Sequence, residues 1–530
     1  MKGGMMRAPL RVTGLLERAA TVFPDKAVVS GGGAERRRAT WREVRDRAWA
    51  LASVLPALGV RPGDRVASLA WNDQAHLELY FGVPASGAVL LTANVRLSSE
   101  QIGRILAHAE AGIVFADPEF VPLVEDATRR LADPVRKIAL ARAARDGWLA
   151  YEDVVSSGDP SRPLPDLEED DAAGLCYTSG TTGDPKGVLY SHRSIVLHTL
   201  AVCLPDGFGI GEADVVLPAV PMFHANAWGL VHAAAMTGAA LVLPGARPSA
   251  AHLSALLAEE RVTFAAGVPT VWMGVLDELR ARPRSLSPRL RIHSGGAPTA
   301  PALLEAYRRE LGVEIVTGWG MTELTPVGMV THPRGEMASW TAEALLPVRT
   351  SQGTPLPLVE IRIVDEAGRP VPEDGRTPGE LEVRGPWVAG GYFRSPAADA
   401  IRDGWLRTGD VATQDALGYV RLVDRTKDLI RSGGEWIPSV ALEHALMDHP
   451  AVAEAAVVAV PDPRWGERPL ACVVLRANAS ASAEELLGSL GGRFPKWWVP
   501  DGVVFLDSVP RTSTGKFDKR SLRERLRSSG

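Results

Sequence analysis

The sequence predicts an α/β protein with two doubly wound layers, followed by an antiparallel barrel-like module and a small α+β section. Three observations lead to this prediction. Apolar strand candidates alternate with amphipathic segments up to about residue 320, the periodicity changes near residue 350, and helix and strand patterns mix after Arg425. At roughly 100 to 200 residues per domain, 530 residues are enough for about three to five structural units.

The doubly wound layers are predicted from βαβα alternation. Between about residues 60 and 120 the segments are RVASLAW, DQAHLELYFGVPASG, VLLTAN, SEQIGRILAHAEA and GIVFAD. The alternation resumes from about 190 to 320, where HLSALLAEERVTF predicts a helix that runs into a strand. In PTVWMGVLDEL the spacing predicts one apolar helix face, formed by Val271, Trp272, Val275, Leu276 and Leu279.

The last third of the chain shows two different patterns. In VEIRIVDEAGRPVP, alternating Val359, Ile361 and Ile363 precede a glycine-containing turn, and GELEVRG and GYVRLVD continue the strand signal. This indicates an antiparallel, barrel-like module. Beyond Arg425, VALEHALMDH predicts a helix, EAAVVAV and LACVVL predict strands, and Ser482 with Glu485 predicts a capping box at the start of another helix.

Composition excludes several classes of protein. The 63 acidic and 58 basic side chains leave a net charge of -5, so no basic field for nucleic acid is expected. No run of about 18 strongly apolar residues predicts a membrane span. The N-terminal segment lacks the apolar core and cleavage site of a signal peptide, and a cytoplasmic location is expected. The 3 cysteines have no CxxC spacing, which predicts thiols rather than disulfides or a zinc site.

The segment YTSGTTGDPKG, Tyr177 to Gly187, has the composition of a phosphate-binding loop. Its glycines allow backbone N–H groups to turn toward an anion, its hydroxyl groups donate further hydrogen bonds, and Lys186 adds a positive charge. It is not a Walker loop, because Lys186 follows a proline rather than the glycine of that pattern.

More motifs follow the loop in order: GWGMTELTP (Gly318 to Pro326), GWLRTGD (Gly404 to Asp410), DRTKDLIRSGGEWI (Asp424 to Ile437) and PRTSTGKFDKR (Pro510 to Arg520). With the loop, they resemble the ordered motifs of the adenylate-forming superfamily, which includes acyl-CoA synthetases, firefly-type luciferases and adenylation domains of nonribosomal peptide synthetases. PMFHANAWGL, Pro221 to Leu230, and the stretch from Ser432 to Ala471 resemble the bacterial medium- and long-chain fatty acyl-CoA synthetases.

The resemblance implies an architecture and an activity. Residues 1–424 would form an AMP-binding domain, with a distorted antiparallel β-barrel over about 330–424; residues 425–428 would be a hinge and 429–530 a mobile α+β domain. The enzyme would convert a carboxylic acid and ATP into an acyl adenylate and pyrophosphate, and then transfer the acyl group to the thiol of CoA. The implied partners are these small molecules and a possible second copy of the chain.

The motifs also make physical sense for this reaction, because charge develops on the phosphate oxygens and must be met by positioned donors. Oxygen groups of Thr178, Thr322 and Glu323 suit Mg²⁺; the resemblance assigns the metal to Thr178 and Glu323, and the phosphate to Thr322. The implied nucleotide-binding residues are Thr178, Ser179, Gly180, Thr181, Thr182, Gly183, Lys186, Gly296, Ala297, Pro298, Gly318, Trp319, Gly320, Met321, Thr322, Asp410, Arg425 and Trp436.

Within this set, three side chains have specific expected roles. Trp319 offers an aromatic face for adenine, although a tryptophan in this pattern can also be an ordinary core residue. Asp410 can accept hydrogen bonds from both ribose hydroxyls, and Arg425 is expected to bind the same sugar or a phosphate.

The resemblance makes Lys516 the catalytic lysine that bridges the carboxylate and the α-phosphate. Lys427 matches the hinge about which the C-terminal domain rotates. Gly433 and Gly434 match the stretch that the pantetheine arm of CoA approaches.

The resemblance assigns the acyl group to the segment PMFHANAWGL and its continuation. There His224 is expected to act beside the carboxylate, with Trp228 as the gate of an acyl tunnel and Val231 in the pocket. The neighbouring side chains are apolar and offer no cation for a second carboxylate.

Alternatives remain open at this point. The substrate can be an aryl acid or a thio-substituted or specialised-metabolism acid, and the acceptor a carrier-protein thiol, an amine or a nitrite-like nucleophile. A non-enzymatic ATP sensor is the third alternative, but the motif residues Glu323, Asp410 and Lys516 argue against it.

Overall fold

The computed structural model describes residues 3–31, 36–178, 186–395, 400–433, 435–511 and 517–528. Within these residues the predicted α/β class is confirmed. Two large, mostly parallel sheets are followed by an antiparallel sheet and by a smaller sheet near the end of the chain.

The larger sheet has nine strands in the order β16-β15-β14-β13-β12-β10-β11-β1-β2. Their bounds are β1 Ala27–Ser30, β2 Arg37–Thr40, β10 Val215–Pro218, β11 Ala240–Leu243, β12 Phe264–Gly267, β13 Arg291–Ser294, β14 Glu314–Gly320, β15 Val327–Val330 and β16 Thr354–Pro355. The six central strands are parallel, whereas β2, β15 and β16 pair antiparallel at the two edges.

The second sheet has seven strands in the order β7-β6-β5-β3-β4-β8-β9. Their bounds are β3 Arg65–Leu69, β4 Val89–Thr92, β5 Ala111–Ala116, β6 Arg136–Ala139, β7 Leu149–Ala150, β8 Ala172–Tyr177 and β9 Gly187–Ser191. All neighbours are parallel except the hairpin of β8 and β9. The loop of this hairpin is the segment predicted to bind phosphate.

Helices connect and cover the sheets. They are α1 Val12–Val22, α2 Trp41–Val54, α3 Gln74–Ala85, α4 Ser99–Ala109, α5 Val121–Thr128, α6 Tyr151–Ser156, α7 His192–Cys203, α8 Leu230–Thr237, α9 Ala250–Glu259, α10 Pro269–Ala281, α11 Pro301–Ala306, α12 Ala342–Arg349, α13 Ser439–Met447, α14 Ala483–Leu490 and α15 Lys519–Ser528. Helix α3 is buried at every residue from His76 to Ala85, including the polar His76 and Glu78.

The helix predicted from PTVWMGVLDEL is α10, and most of its predicted apolar face is buried. Trp272, Val275, Leu276 and Leu279 pack in the core, while Val271 is half-buried. Pro269 occupies the first turn, where its missing N–H leaves no hydrogen bond unmade.

The antiparallel module begins at residue 360. It contains β17 Glu360–Val364, β18 Gly379–Arg384, β19 Ile401–Arg402, β20 Trp405–Gln414 and β21 Val420–Arg425. The order is β17-β18-β20-β19, and β21 also pairs with β20. The predicted alternation is visible in the register, because Ile361 lies opposite Val383 and Ile363 opposite Leu381.

The final section forms its own sheet and core. The sheet has β22 Ile430–Ser432, β23 Glu435–Ile437, β24 Val452–Asp462, β25 Gly466–Leu475 and β26 Val503–Phe505. The Ser482 side chain caps helix α14 by accepting a hydrogen bond from the N–H of Glu485 at 3.1 Å. The Glu485 carboxylate lies 3.5 Å from the Nε2 of His449, so the structure contains the first half of the predicted capping box.

Two compositional predictions can be compared with the structure. All 3 cysteines are free thiols; Cys176 and Cys472 are buried and Cys203 is half-buried. Among the helices described, none combines the length and the apolar character that a membrane crossing requires.

Candidate active site

The ends of the phosphate loop are held together by the β8–β9 hairpin. Tyr177 pairs with Gly187 across the two strands, and the Thr178 N–H donates to the carbonyl of Lys186 at 2.9 Å. These bonds bring Thr178 and Lys186 side by side at the mouth of the loop. The predicted residues Ser179, Gly180, Thr181, Thr182 and Gly183 lie outside the described residues.

The predicted magnesium ligand Glu323 lies in a 3₁₀ turn, Thr322–Leu324, directly after strand β14. Its side chain is buried, and its Oε1 accepts a hydrogen bond of 2.6 Å from the hydroxyl of Tyr392. Burial raises the pKa of Glu323, against the lowering effect of this hydrogen bond. The carbonyl of Thr322 accepts a hydrogen bond of 2.6 Å from the hydroxyl of Tyr190.

Tight backbone contacts explain two glycines of this motif. A methyl group on Gly320 would lie 2.1 Å from the carbonyl oxygen of Pro326, and one on Gly318 would lie 2.7 Å from the carbonyl oxygen of Met329. Both distances are too short for a real side chain, so only glycine fits at these two positions of β14. Met321 follows and donates its N–H to the same carbonyl of Pro326 at 3.0 Å.

Three predicted nucleotide-binding side chains meet at one carboxylate. The indole N–H of Trp319 donates to Oδ2 of Asp410 at 2.8 Å, and Nε of Arg425 lies 3.2 Å from Oδ1 of the same residue. Trp319 and Asp410 are both buried. The structure therefore joins three separate sequence motifs through Asp410.

The segment that carries His224 and Trp228 has an unusual backbone. Ala225, Asn226, Ala227 and Trp228 all have positive φ, between 43° and 57°, and form a left-handed turn. Left-handed conformation costs a residue with a side chain about 1–2 kcal/mol, and such strain is concentrated at functional sites. The turn is held partly by Asn226, whose Oδ1 accepts from the thiol of Cys176 at 3.4 Å.

Trp228 contacts the predicted adenine-edge loop. Its ring lies 5.7 Å from that of His293 in an edge-to-face arrangement, and a methyl group on Gly295 would be 3.4 Å from the indole. Gly296 has φ of 78° and is followed by Ala297 and by the exposed Pro298. The acyl segment and the adenine-edge loop are thus neighbours, whereas Val231 is fully buried in helix α8.

The predicted hinge follows strand β21 as a turn. The Thr426 N–H donates to the carbonyl of Gly409 at 3.0 Å. Lys427 is exposed, and partial desolvation of its amino group lowers its pKa. Gly433 has φ of 59°, and its N–H donates to the carbonyl of Trp465 at 2.8 Å. Trp436 lies opposite Arg431 in the β22–β23 pair. Gly434 and Lys516 lie outside the described residues.

Two residues near the motifs were not identified from the sequence. Tyr392 lies in the segment between strands β18 and β19 and was missed, because a single tyrosine there carries no motif signal. His293 lies in strand β13 and is 3% exposed; burial lowers its pKa to about 3, and its Nδ1 has no hydrogen-bond partner. Its position directly before Ser294 and the glycines of the adenine-edge loop was the only signal available.

Comparison with known proteins supports the reading of these motifs. A family model described as AMP-binding enzyme matches residues 16–393, and one for the AMP-binding enzyme C-terminal domain matches residues 441–516. The chain is 47% identical to a long-chain-fatty-acid–CoA ligase of Thermus thermophilus, over 99% of this chain and 97% of the relative.

Two further relatives are similar over nearly the whole chain. A 3-methylmercaptopropionyl-CoA ligase of Ruegeria pomeroyi is 45% identical, with 99% of each chain covered. A medium-chain-fatty-acid–CoA ligase of Ectopseudomonas oleovorans is 41% identical, over 99% of this chain and 97% of the relative.

The fold also matches that of a solved ligase. An anthranilate CoA ligase in complex with anthranoyl-AMP superimposes with a TM-score of 0.89 at 25% identity, covering 100% of this chain and 99% of the other. The match therefore includes both the large sheets and the C-terminal section. The chain belongs to the AMP-binding enzyme family, within the adenylate-forming superfamily.

Proposed function

We propose that this protein is a fatty acid–CoA ligase that activates a medium- or long-chain acid with ATP through an acyl adenylate. The observation that carries the proposal is the convergence of Trp319, Asp410 and Arg425 from three motifs, next to a turn that presents Glu323. The full-length similarity to ligases of long-chain and medium-chain fatty acids supports the substrate class. The cytoplasmic location and the homodimer expected from the sequence stay predictions.

In the first half-reaction, a carboxylate oxygen of the acid attacks the α-phosphorus of ATP, and the bond to the β-phosphate oxygen breaks as pyrophosphate leaves. We assign the phosphates to the loop from Thr178 to Lys186 and to Thr322. We assign the adenine to Trp319 and to the loop of Gly296, Ala297 and Pro298. Asp410 holds the ribose: both of its oxygens already have partners, but each has a second lone pair for a ribose hydroxyl.

The residues present also fit a magnesium ion. Glu323 is 6% exposed, and among the described residues no arginine or lysine nitrogen lies within 4.0 Å of its carboxyl group, the limit for an ion pair. Its Oε1 is bonded to a neutral hydroxyl rather than to a cation, so a metal ion would supply the counter-charge that this buried carboxyl group lacks. A bound Mg²⁺ would supply charge neutralisation on the phosphates, with Thr178 and Glu323 as its protein ligands.

The second half-reaction transfers the acyl group to sulfur. The thiol of CoA loses its proton, sulfur attacks the acyl carbon, and AMP leaves with the anhydride oxygen. We assign His224 to the carboxylate, Trp228 and Val231 to the acyl chain, and Gly433 and Gly434 to the approach of the thiol. Lys427 is the hinge residue about which the C-terminal domain rotates between the two steps, so that Lys516 leaves the site and the thiol can enter. We assign Trp436 to a position close to the nucleotide.

A pyrophosphate-release screen tests the proposed function. The acids are hexanoate, octanoate, palmitate, benzoate and 3-methylmercaptopropionate, each with ATP and with or without CoA. We expect AMP and pyrophosphate, with palmitate or octanoate fastest and turnover dependent on CoA. Faster turnover of benzoate or 3-methylmercaptopropionate would replace the fatty acid by another acid, and formation of only ADP and phosphate would exclude the adenylation itself.

The Trp319–Asp410 hydrogen bond leads to a prediction about ATP. Trp319→Phe keeps an aromatic face but removes the indole N–H, and a hydrogen bond to a charged group contributes about 1.5–3 kcal/mol. We expect the KM for ATP to rise about 10-fold while the KM for the acid changes less than about 2-fold, as measured by pyrophosphate release.

The matched control is Trp41→Phe, which removes a buried indole N–H bonded to the Ala239 carbonyl at 2.9 Å. This variant is expected to lower stability without changing the KM for ATP. An unchanged KM for ATP in Trp319→Phe would contradict the role assigned to the indole.

A further inference from the structure

Tyr392 contacts two groups of opposite charge at the candidate active site. Its hydroxyl donates to Oε1 of Glu323 at 2.6 Å, and the Nζ of Lys186 lies 5.3 Å from the centroid of its ring. Neither contact cancels a charge: a phenol is a neutral donor, and an aromatic face attracts an ammonium group without neutralising it. One half-buried side chain therefore contacts both Glu323 and Lys186 without supplying a counter-charge to either.

The backbone around Tyr392 is attached to the same two motifs. The Ala389 N–H donates to the carbonyl of Glu323 at 2.7 Å, and the Phe393 N–H donates to the carbonyl of Gly187 at 2.8 Å. A third bond joins the Thr325 hydroxyl to the carbonyl of Trp387 at 2.8 Å. These bonds fix the position of the tyrosine relative to both Glu323 and Lys186.

Lys186 and Glu323 do not pair with each other in this arrangement. Within the described part of the chain, no carboxylate oxygen lies within 4.0 Å of the Lys186 Nζ. A direct ion pair between them would use the positive charge expected to bind phosphate and the negative charge expected to bind magnesium. Such a pair is the obvious alternative for two opposite charges that share one neighbour.

We propose that Tyr392 is a positioning residue, a neutral spacer that orients Glu323 for the metal and Lys186 for the phosphates while keeping the two from forming an ion pair. The inference rests on the proposed function, because it concerns the same nucleotide site. It predicts separate effects of the two halves of the side chain: the hydroxyl acts on metal binding and the ring acts on ATP binding.

The test measures ATP binding by calorimetry, first in EDTA and then in a magnesium titration. Tyr392→Phe keeps the ring, so we expect unchanged ATP affinity in EDTA and a Mg²⁺ concentration for half-maximal effect about 10-fold higher. Tyr392→Leu removes both functions, and its ATP affinity in EDTA should fall about 5- to 10-fold because Lys186 then pairs with Glu323.

A double variant distinguishes the proposed role of Tyr392 as a spacer from a role in structure alone. In Tyr392→Leu/Glu323→Gln the lysine has no carboxylate to pair with, so ATP affinity in EDTA should return to within about 2-fold of the wild-type value. Tyr419→Phe is the matched control. The hydroxyl of Tyr419, which lies directly before β21, donates to the carbonyl of His332 at 2.7 Å, and its loss should change neither ATP affinity nor the magnesium requirement.

Two outcomes would overturn the proposal: an unchanged magnesium requirement in Tyr392→Phe, or weak ATP binding in Tyr392→Leu that Glu323→Gln does not restore. If Tyr392→Leu fails to fold, the magnesium titration of Tyr392→Phe decides alone. Both measurements use ATP without any acid, so they give a result even if the acid screen excludes adenylation.

Discussion

Replacement of Lys516 by alanine is expected to reduce adenylate formation about 10²- to 10³-fold, the usual cost of removing one donor that stabilises developing charge. The lysine is proposed to bridge the carboxylate and the α-phosphate, both of which carry negative charge in the first half-reaction. The measurement is exchange of labelled pyrophosphate into ATP in the presence of palmitate. Thioester formation from a synthetic acyl adenylate and CoA should change less than about 3-fold.

The described residues on either side of Lys516 belong to the C-terminal section. Arg511 and Phe517 form an antiparallel bridge, and helix α15 begins at Lys519. Lys496→Ala is the control, because this lysine is exposed in the same C-terminal section and should affect neither half-reaction. Equal losses in both half-reactions of Lys516→Ala would contradict the proposed exchange of the lysine for the thiol.

Lys519→Met is expected to destabilise the C-terminal section by about 3–5 kcal/mol, the usual cost of leaving one charge of a buried ion pair without its partner. The Nζ of Lys519 lies 2.6 Å from Oε1 of Glu443, with side chains 10% and 9% exposed. Lys519 also donates to the hydroxyl of Ser439 at 2.5 Å. Urea denaturation followed by fluorescence measures the change in the free energy of unfolding.

The pH dependence of the stability of Lys519→Met identifies the cause of its destabilisation. Burial raises the pKa of Glu443, against the lowering effect of Lys519, so removal of the lysine should raise it further. A carboxyl group with a raised folded-state pKa costs no stability below its unfolded pKa of about 4.5, and its cost grows as the pH rises above that value. The destabilisation of Lys519→Met should therefore be small near pH 4.5 and largest at neutral pH.

The double variant Lys519→Met/Glu443→Gln provides the control. It removes the unpaired charge while an amide oxygen can still accept the 2.8 Å hydrogen bond from the N–H of Val457. We expect it to recover most of the lost stability and to lose the pH dependence. If the single and double variants are equally unstable at neutral pH, the cost comes from packing rather than from the buried charge.

Much of the fold could be predicted because half-buried helices and strands each require apolar residues at a characteristic spacing in the sequence. The apolar face of α10 and the alternation in β17 were both predicted from spacing and are both seen. Pairing partners were harder to predict. Strands β15 and β16 lie close in sequence to the antiparallel module, yet they extend the nine-stranded sheet. A period of two indicates a strand but does not identify its neighbour.

The candidate site also has features that could be predicted from the sequence and features that required the structure. The sequence by itself determined the α/β class, the family and the motif residues, since these depend on residue types and spacings within short segments. Tertiary structure alone decided that Trp319 donates to Asp410, 91 residues away, and that Tyr392 donates to Glu323, 69 residues away. Such contacts form only when the antiparallel module packs against the end of β14. They could not be predicted, because the sequence around a single tyrosine or tryptophan does not indicate which distant residue its side chain will bond to.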